Sequence, residues 1–210
     1  MRDTTQELER WLHAGGKFVG QIIVMHTEGG WELRHADDAR RGELAAFSKW
    51  EDARSLANFD DTGAYRALKT APNLRHGWRL VLPDAQAVRL ALDYFYPAMI
   101  GVWLAHGRGE IMPVEFHDTL ARQTGMYRIT QKLTHEQAQR LIAKQCRTNG
   151  GCLKTILWQI SGDVAVPLLP PEKFRAGATP VDSMPLLCHE GCNFLVAAAR
   201  KMVKDESPAP

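Results

Sequence analysis

The chain reads as an α+β protein, with a small antiparallel sheet and helices followed by a mainly helical domain that carries four cysteines. Three observations predict this. Two runs rich in β-formers, residues 18–26 and 31–35, flank Glu28-Gly29-Gly30 and read as a hairpin. Val88, Leu92, Phe95, Tyr96, Met99, Ile100 and Trp103 recur at helical spacing and form one wide apolar stripe. All the cysteines fall late in the chain, at Cys146, Cys152, Cys188 and Cys192, on either side of a proline-rich stretch.

In chain order, Leu8, Trp11 and Leu12 predict a first helix that Gly15-Gly16 ends. The hairpin follows. Leu44, Phe47, Trp50 and Leu56 suit a helix over 43–57, and a short helix is expected over 64–69, before Pro72. Trp78-Arg-Leu-Val-Leu82 is a third strand, and the striped helix runs over 84–104, with Pro97 expected to kink it. A further helix is expected from Pro113 to Leu120. Thr134-His-Glu-Gln137 is a capping box, because the threonine oxygen and the glutamine side chain each accept an otherwise unmatched backbone amide, so a helix is expected over 134–146. Residues 153–160 are apolar and fit a short helix or a strand. Residues 161–185 hold five prolines and read as irregular. A last helix covers 193–203. The expected division is an α+β accessory domain over 1–110, a four-cysteine domain over 111–204, and a disordered tail over 205–210.

At 210 residues the chain can bury a core without covalent staples. Its composition, 45% hydrophobic and 24% charged with net charge +2, gives no bulk electrostatic reason to bind nucleic acid. The amino terminus lacks the apolar core of a secretory signal, and the longest apolar run, 94–105, is far short of the roughly 20 residues of a membrane span. A cytoplasmic protein is expected. In that reducing compartment, clustered cysteines read as metal ligands or redox thiols before they read as disulfides.

The cysteines form two tight pairs, Cys146-x5-Cys152 and Cys188-x3-Cys192. Three readings compete. Reduced cysteines can be small buried hydrophobes. A structural zinc site takes four thiolates, but usually on knuckles of two to four residues, which fits the second pair better than the first. An iron-sulfur cluster also takes four thiolates and tolerates wider spacing. The glycines at 150, 151 and 191 would let backbone amides approach an anionic cluster. The residues thus favour an iron-sulfur cluster, with zinc as the alternative, and their spacing leaves both [2Fe-2S] and [4Fe-4S] open. Walker A, Gly-x-Gly-x-x-Gly, His-Glu-x-x-His and Gly-x-Ser-x-Gly signatures are absent.

The segment Leu120-Ala-Arg-Gln-Thr-Gly-Met-Tyr-Arg128, then Cys146, Gly151-Cys152-Leu-Lys-Thr-Ile-Leu-Trp158 and Cys188-His-Glu-Gly-Cys192-Asn193, resembles the [4Fe-4S] module of multidomain CbiX-like sirohydrochlorin chelatases. Tyr94-Phe-Tyr-Pro97 resembles part of the accessory domain that precedes that module. The resemblance implies that Cys146, Cys152, Cys188 and Cys192 are the cluster ligands. It covers about residues 15 to 203 and includes no metal-inserting domain, so chelatase activity is not implied. What it implies is a [4Fe-4S] protein that passes electrons to, or assembles with, a chelatase or another tetrapyrrole or cobalamin enzyme. The alternative is a zinc-stabilised four-cysteine interaction module without redox chemistry.

Overall fold

The computed structural model describes residues 3–59, 62, 64, 74–112, 114–116, 132–147, 152, 154–160, 164–165, 182–189 and 191–206. The chain forms two compact units. One comprises Met1–Ile111 with Phe174–Leu186, the other Met112–Lys173 with Leu187–Pro210. The fold class is the expected one: a mixed sheet-and-helix domain is followed by a mostly helical one.

In the first unit, α1 (Thr4–His13) starts at Asp3, whose carboxylate accepts the Thr5 N–H at 2.9 Å. The strands β1 (Phe18–Val19), β2 (Ile22–Thr27) and β3 (Gly30–His35) follow. The β2–β3 hairpin closes at Thr27 opposite Gly30, and Gly30 has φ +124°, where an added Cβ would press on the Leu82 carbonyl oxygen. Then come β4 (Ala45–Phe47), α2 (Asp52–Asn58), β5 (Trp78–Leu82), α3 (Ala85–Phe95) and α4 (Met99–Gly107). The sheet has six strands, in the order β10-β1-β2-β3-β5-β4, where β10 is Ser183–Met184. It is mixed, not antiparallel throughout, because β10 joins β1 and β4 joins β5 in parallel.

Side chains alternate across a strand, so Trp31, Leu33 and His35 share one face of β3, and all three are buried. Trp78, Leu80 and Leu82 of β5 are buried likewise. Against this face α3 sets Val88, Ala91, Leu92 and Phe95, with the Phe95 ring stacked on Trp78 at 5.0 Å. Asp84 caps α3 by accepting the Ala87 N–H at 2.8 Å.

Two expectations are corrected here. The single helix over 84–104 is two helices, broken around Pro97, with Ala98 at φ +62°. Proline has no N–H to donate and disfavours helical backbone in the residue before it, so a kink becomes a break. The helix expected over 43–57 is instead β4 and the shorter α2. Pairing with β5 overrides the helical preference of Ala45 and Ala46. The short helix expected over 64–69 lies, apart from Ala64, outside the described residues.

In the second unit, β6 (Val114–Glu115) stands where a helix was expected, and it pairs with β8 (Trp158–Ile160), which pairs with β9 (Val164–Ala165). The remainder of that expected helix, and most of 161–185, lies outside the described residues. The capping box forms as expected at the start of α5 (His135–Ile142). The Gln137 N–H donates to Thr134 Oγ1 at 3.2 Å and the Thr134 N–H to Gln137 Oε1 at 2.9 Å. A π-helical turn, Ala143–Arg147, extends the helix. Next, β7 (Thr155–Ile156) pairs in parallel with β11 (Leu187–Cys188), and α6 (Asn193–Glu206) follows. Asp205 and Glu206 thus belong to a helix, and residues 207–210 lie outside the described residues. The unit's core joins Phe116, Leu133, Leu141, Ile142 and Ile156 to Leu195, Val196 and Ala199 of α6.

Among the described residues no helix is long and apolar enough to cross a membrane.

Candidate metal centre

Strand pairing assembles a donor group in the first unit. β3 and β5 run antiparallel, with Trp31 opposite Leu82 and Arg34 opposite Arg79. Followed past the strand ends, that register sets position 37 opposite position 76. There His35, Asp37 and His76 each bring one ligand atom to within 4.8 Å of the other two. The Nδ1 of His35 is 3.6 Å from Oδ2 of Asp37.

Each donor has a different footing. His35 closes β3 on its buried face and is 1% exposed, whereas the side chains of Asp37 and His76 are 66% and 41% exposed. Asp37 sits in a 3-10 turn, Ala36–Asp38, where its own N–H donates to His35 Nδ1 at 3.2 Å. The turn is fastened on several sides. The Ala36 N–H donates to the Gln21 carbonyl at 2.8 Å, and Arg34 donates to the carbonyls of Asp38 and Ala39 at 3.5 and 3.4 Å. Arg34 is itself aimed by Glu32, which accepts from its Nε at 2.6 Å, and Arg79 stands 3.7 Å from the same carboxylate.

Behind the donors lies Asp38, a buried carboxylate. Its Oδ2 accepts the Gly77 N–H at 2.7 Å, and its Oδ1 is 3.7 Å from His76 Nδ1 and 3.6 Å from Arg41 Nη1. Gly77 holds φ +82°, a conformation that favours glycine. The His35 and His76 rings lie 3.9 Å apart between centroids. A carboxylate behind a ligating imidazole is the usual device for orienting the ring toward an ion.

The four cysteines are placed otherwise. None is in a disulfide. Cys146 is buried in the core of the second unit, where Cys188 and Cys192 pack against the same cluster. Cys152 Sγ accepts the Lys154 N–H at 3.4 Å, and Cys192 Sγ the Leu195 N–H at 3.4 Å. Cys188 lies in β11, opposite Ile156. Among the described residues, the donor group whose ligand atoms all lie within 4.8 Å of one another is His35, Asp37 and His76.

The expected cofactor is corrected accordingly. The donor set that the structure assembles is two imidazoles and a carboxylate, suited to a zinc-type ion, in place of a four-thiolate [4Fe-4S] cluster. The electron-transfer role built on that cluster falls with it, since zinc has no redox chemistry. The zinc alternative fares better, though with other ligands. Neither His35-x-Asp37 nor His76 was singled out from the sequence, where only the closely spaced His and Asp at a predicted strand end could have signalled them.

Fold and donor group together define a two-part α+β protein whose sheet domain carries a His-Asp-His donor group and whose second, mostly helical domain carries four thiols. Residues 3–107, half of the chain, match the family model described as the DR2241 stabilising domain, and the chain belongs to that family. Residues 108–201, less than half, match a model described as a 4Fe-4S iron-sulfur cluster binding domain. The chain is also similar to DR2241 from Deinococcus radiodurans. The crystal structure of that protein, at 1.9 Å, is described as a multi-domain protein with structural similarity to chelatases and two additional novel domains. The two are 29% identical with a TM-score of 0.72, over 97% of this chain and 42% of that one. This chain therefore spans less than half of that protein, and it matches the accessory domains outside the chelatase-like part. No curated protein matches the chain.

Proposed function

We propose that this chain is a metal-binding accessory module that works with a chelatase-type enzyme of tetrapyrrole metabolism, and that His35, Asp37 and His76 hold its ion. The observation that carries the reading is the convergence of those three donors within 4.8 Å at the end of a sheet. The link to a chelatase rests on DR2241, which is described as similar to chelatases and shares these accessory domains. A bound zinc-type ion supplies a Lewis acid with room for further ligands. The chain's own part is to set the ligands: His35 from the sheet, Asp37 from the fastened turn, and His76 backed by Asp38. Cys146, Cys152, Cys188 and Cys192 are proposed as a separate set of metal-ligating thiols, supported by the match of residues 108–201 to an iron-sulfur cluster binding domain model.

Titration of the purified chain with zinc, followed calorimetrically, tests the first set. Binding that falls about tenfold or more in His76→Ala and His35→Ala supports it. Unchanged binding in both variants would sink it. Co-elution with a chelatase domain on a sizing column tests the partner, and two independent peaks at micromolar concentration would speak against it.

A further inference from the structure

We propose that the ion at His35, Asp37 and His76 is cargo that exchanges with solution, and not a structural ion built into the domain. This rests on the reading of the triad as a metal site. Three features of the site carry it.

The first is the number of donors. Structural zinc sites are closed by four protein ligands, whereas sites that keep an open position have three. Among the described residues the convergent group contains three. The second is exposure. With 66% of the Asp37 side chain and 41% of His76 open to solvent, water has direct access to the remaining positions, and an incoming ligand can displace it without moving the sheet.

The third feature is the scaffold. A structural ion contributes to folding when it joins segments that would otherwise part. Here the two donor-bearing segments are joined already. β3 and β5 pair from Trp31–Leu82 to Arg34–Arg79, and Asp38 grips the Gly77 N–H at 2.7 Å. Gln21 holds both sides as well, since its carbonyl accepts the Ala36 N–H and its Oε1 the Leu74 N–H, each at 2.8 Å. The site is organised before an ion arrives, and an ion has little left to hold together. Preorganised and open to solvent, it fits a late first-row divalent ion such as Co²⁺, Ni²⁺ or Zn²⁺, for which imidazole is a good donor.

The test uses the full chain and Co²⁺, whose spectrum separates the two donor types: thiolate ligation gives intense near-ultraviolet charge transfer, and nitrogen-oxygen ligation gives weak visible bands. The expected result is a set of weak bands that His76→Gln or Asp37→Asn removes or shifts to at least about tenfold higher cobalt. Those bands should vanish within seconds of mixing with excess chelator, and the far-ultraviolet circular dichroism should not change. Retention of the ion for hours against the chelator, or loss of sheet signal when it leaves, would overturn the exchange proposal and leave a structural metal site. Cobalt bands that both variants preserve, or charge transfer alone, would overturn the metal-site reading and the inference with it.

Discussion

Asp38 and Gly77 are joined by a hydrogen bond of 2.7 Å from the Gly77 N–H to the Asp38 carboxylate, across two segments that lie far apart in sequence. The bond locks the residue after His76 to the residue after Asp37, so two of the three donors are positioned by one contact. Replacing Asp38 by Ala leaves that N–H without its acceptor and removes the carboxylate behind the His76 ring. Zinc affinity measured by calorimetry should fall about 10- to 100-fold. Asp38→Asn retains an oxygen for Gly77 and should recover part of the loss. Equal affinities in all three proteins would deny Asp38 any positioning role.

Leu92 is fully buried in α3, on the face that covers the sheet. Truncation to Ala should destabilise the first unit by about 2–5 kcal/mol, because the removed methyl groups leave a cavity that packed neighbours fill only in part. Urea denaturation followed by tryptophan fluorescence would report it through Trp78, which stacks on the same helix.

Gly30→Ala tests the hairpin. At φ +124° an alanine is strained, and its Cβ would press on the Leu82 carbonyl oxygen, so a loss above about 1 kcal/mol is expected on denaturation. Wild-type stability in this variant would mean that the turn relaxes freely.

Thr134→Ala removes one side of the capping box on α5 and should cost about 0.5–2 kcal/mol in the second unit, read by the same titration.

Glu206 accepts hydrogen bonds from Gln137 at 2.9 Å and Arg140 at 2.7 Å. The Gln137 hydrogen bond foremost, with the nearby Arg140 charge, holds its carboxyl below the usual glutamate value. A pKa lower in the folded than in the unfolded chain means that the contact supports folding above the unfolded pKa and is lost as pH falls through the folded one. An NMR titration should place the Glu206 midpoint below the ordinary value in the wild type and nearer to it in Gln137→Ala.

Much of the fold was legible because it is local. The hairpin, β5, the Thr134 cap and the helix content follow from spacing within a few residues, and each is present. β4 was not legible: Ala45-Ala46-Phe47 is a strand only because β5 lies beside it. The donor group failed for the same reason at longer range. His35 and Asp37 are neighbours on the chain, but His76 joins them only through the β3–β5 register, which no local pattern encodes.

The parallel pairing of Phe18 with Ser183 and Val19 with Met184 has a consequence for how the protein is made. Emerging from the ribosome, the amino-terminal strands are ready long before the segment that completes their sheet. Until Met184 is synthesised, β1 offers an unpaired edge, the kind of surface onto which another nascent chain can add. The stretch of Met112–Lys173 is thus spelled out in the middle of an unfinished domain. Biogenesis would then run out of step with the linear order of the two parts, and a gene cut after residue 107 would encode a sheet that lacks its last strand.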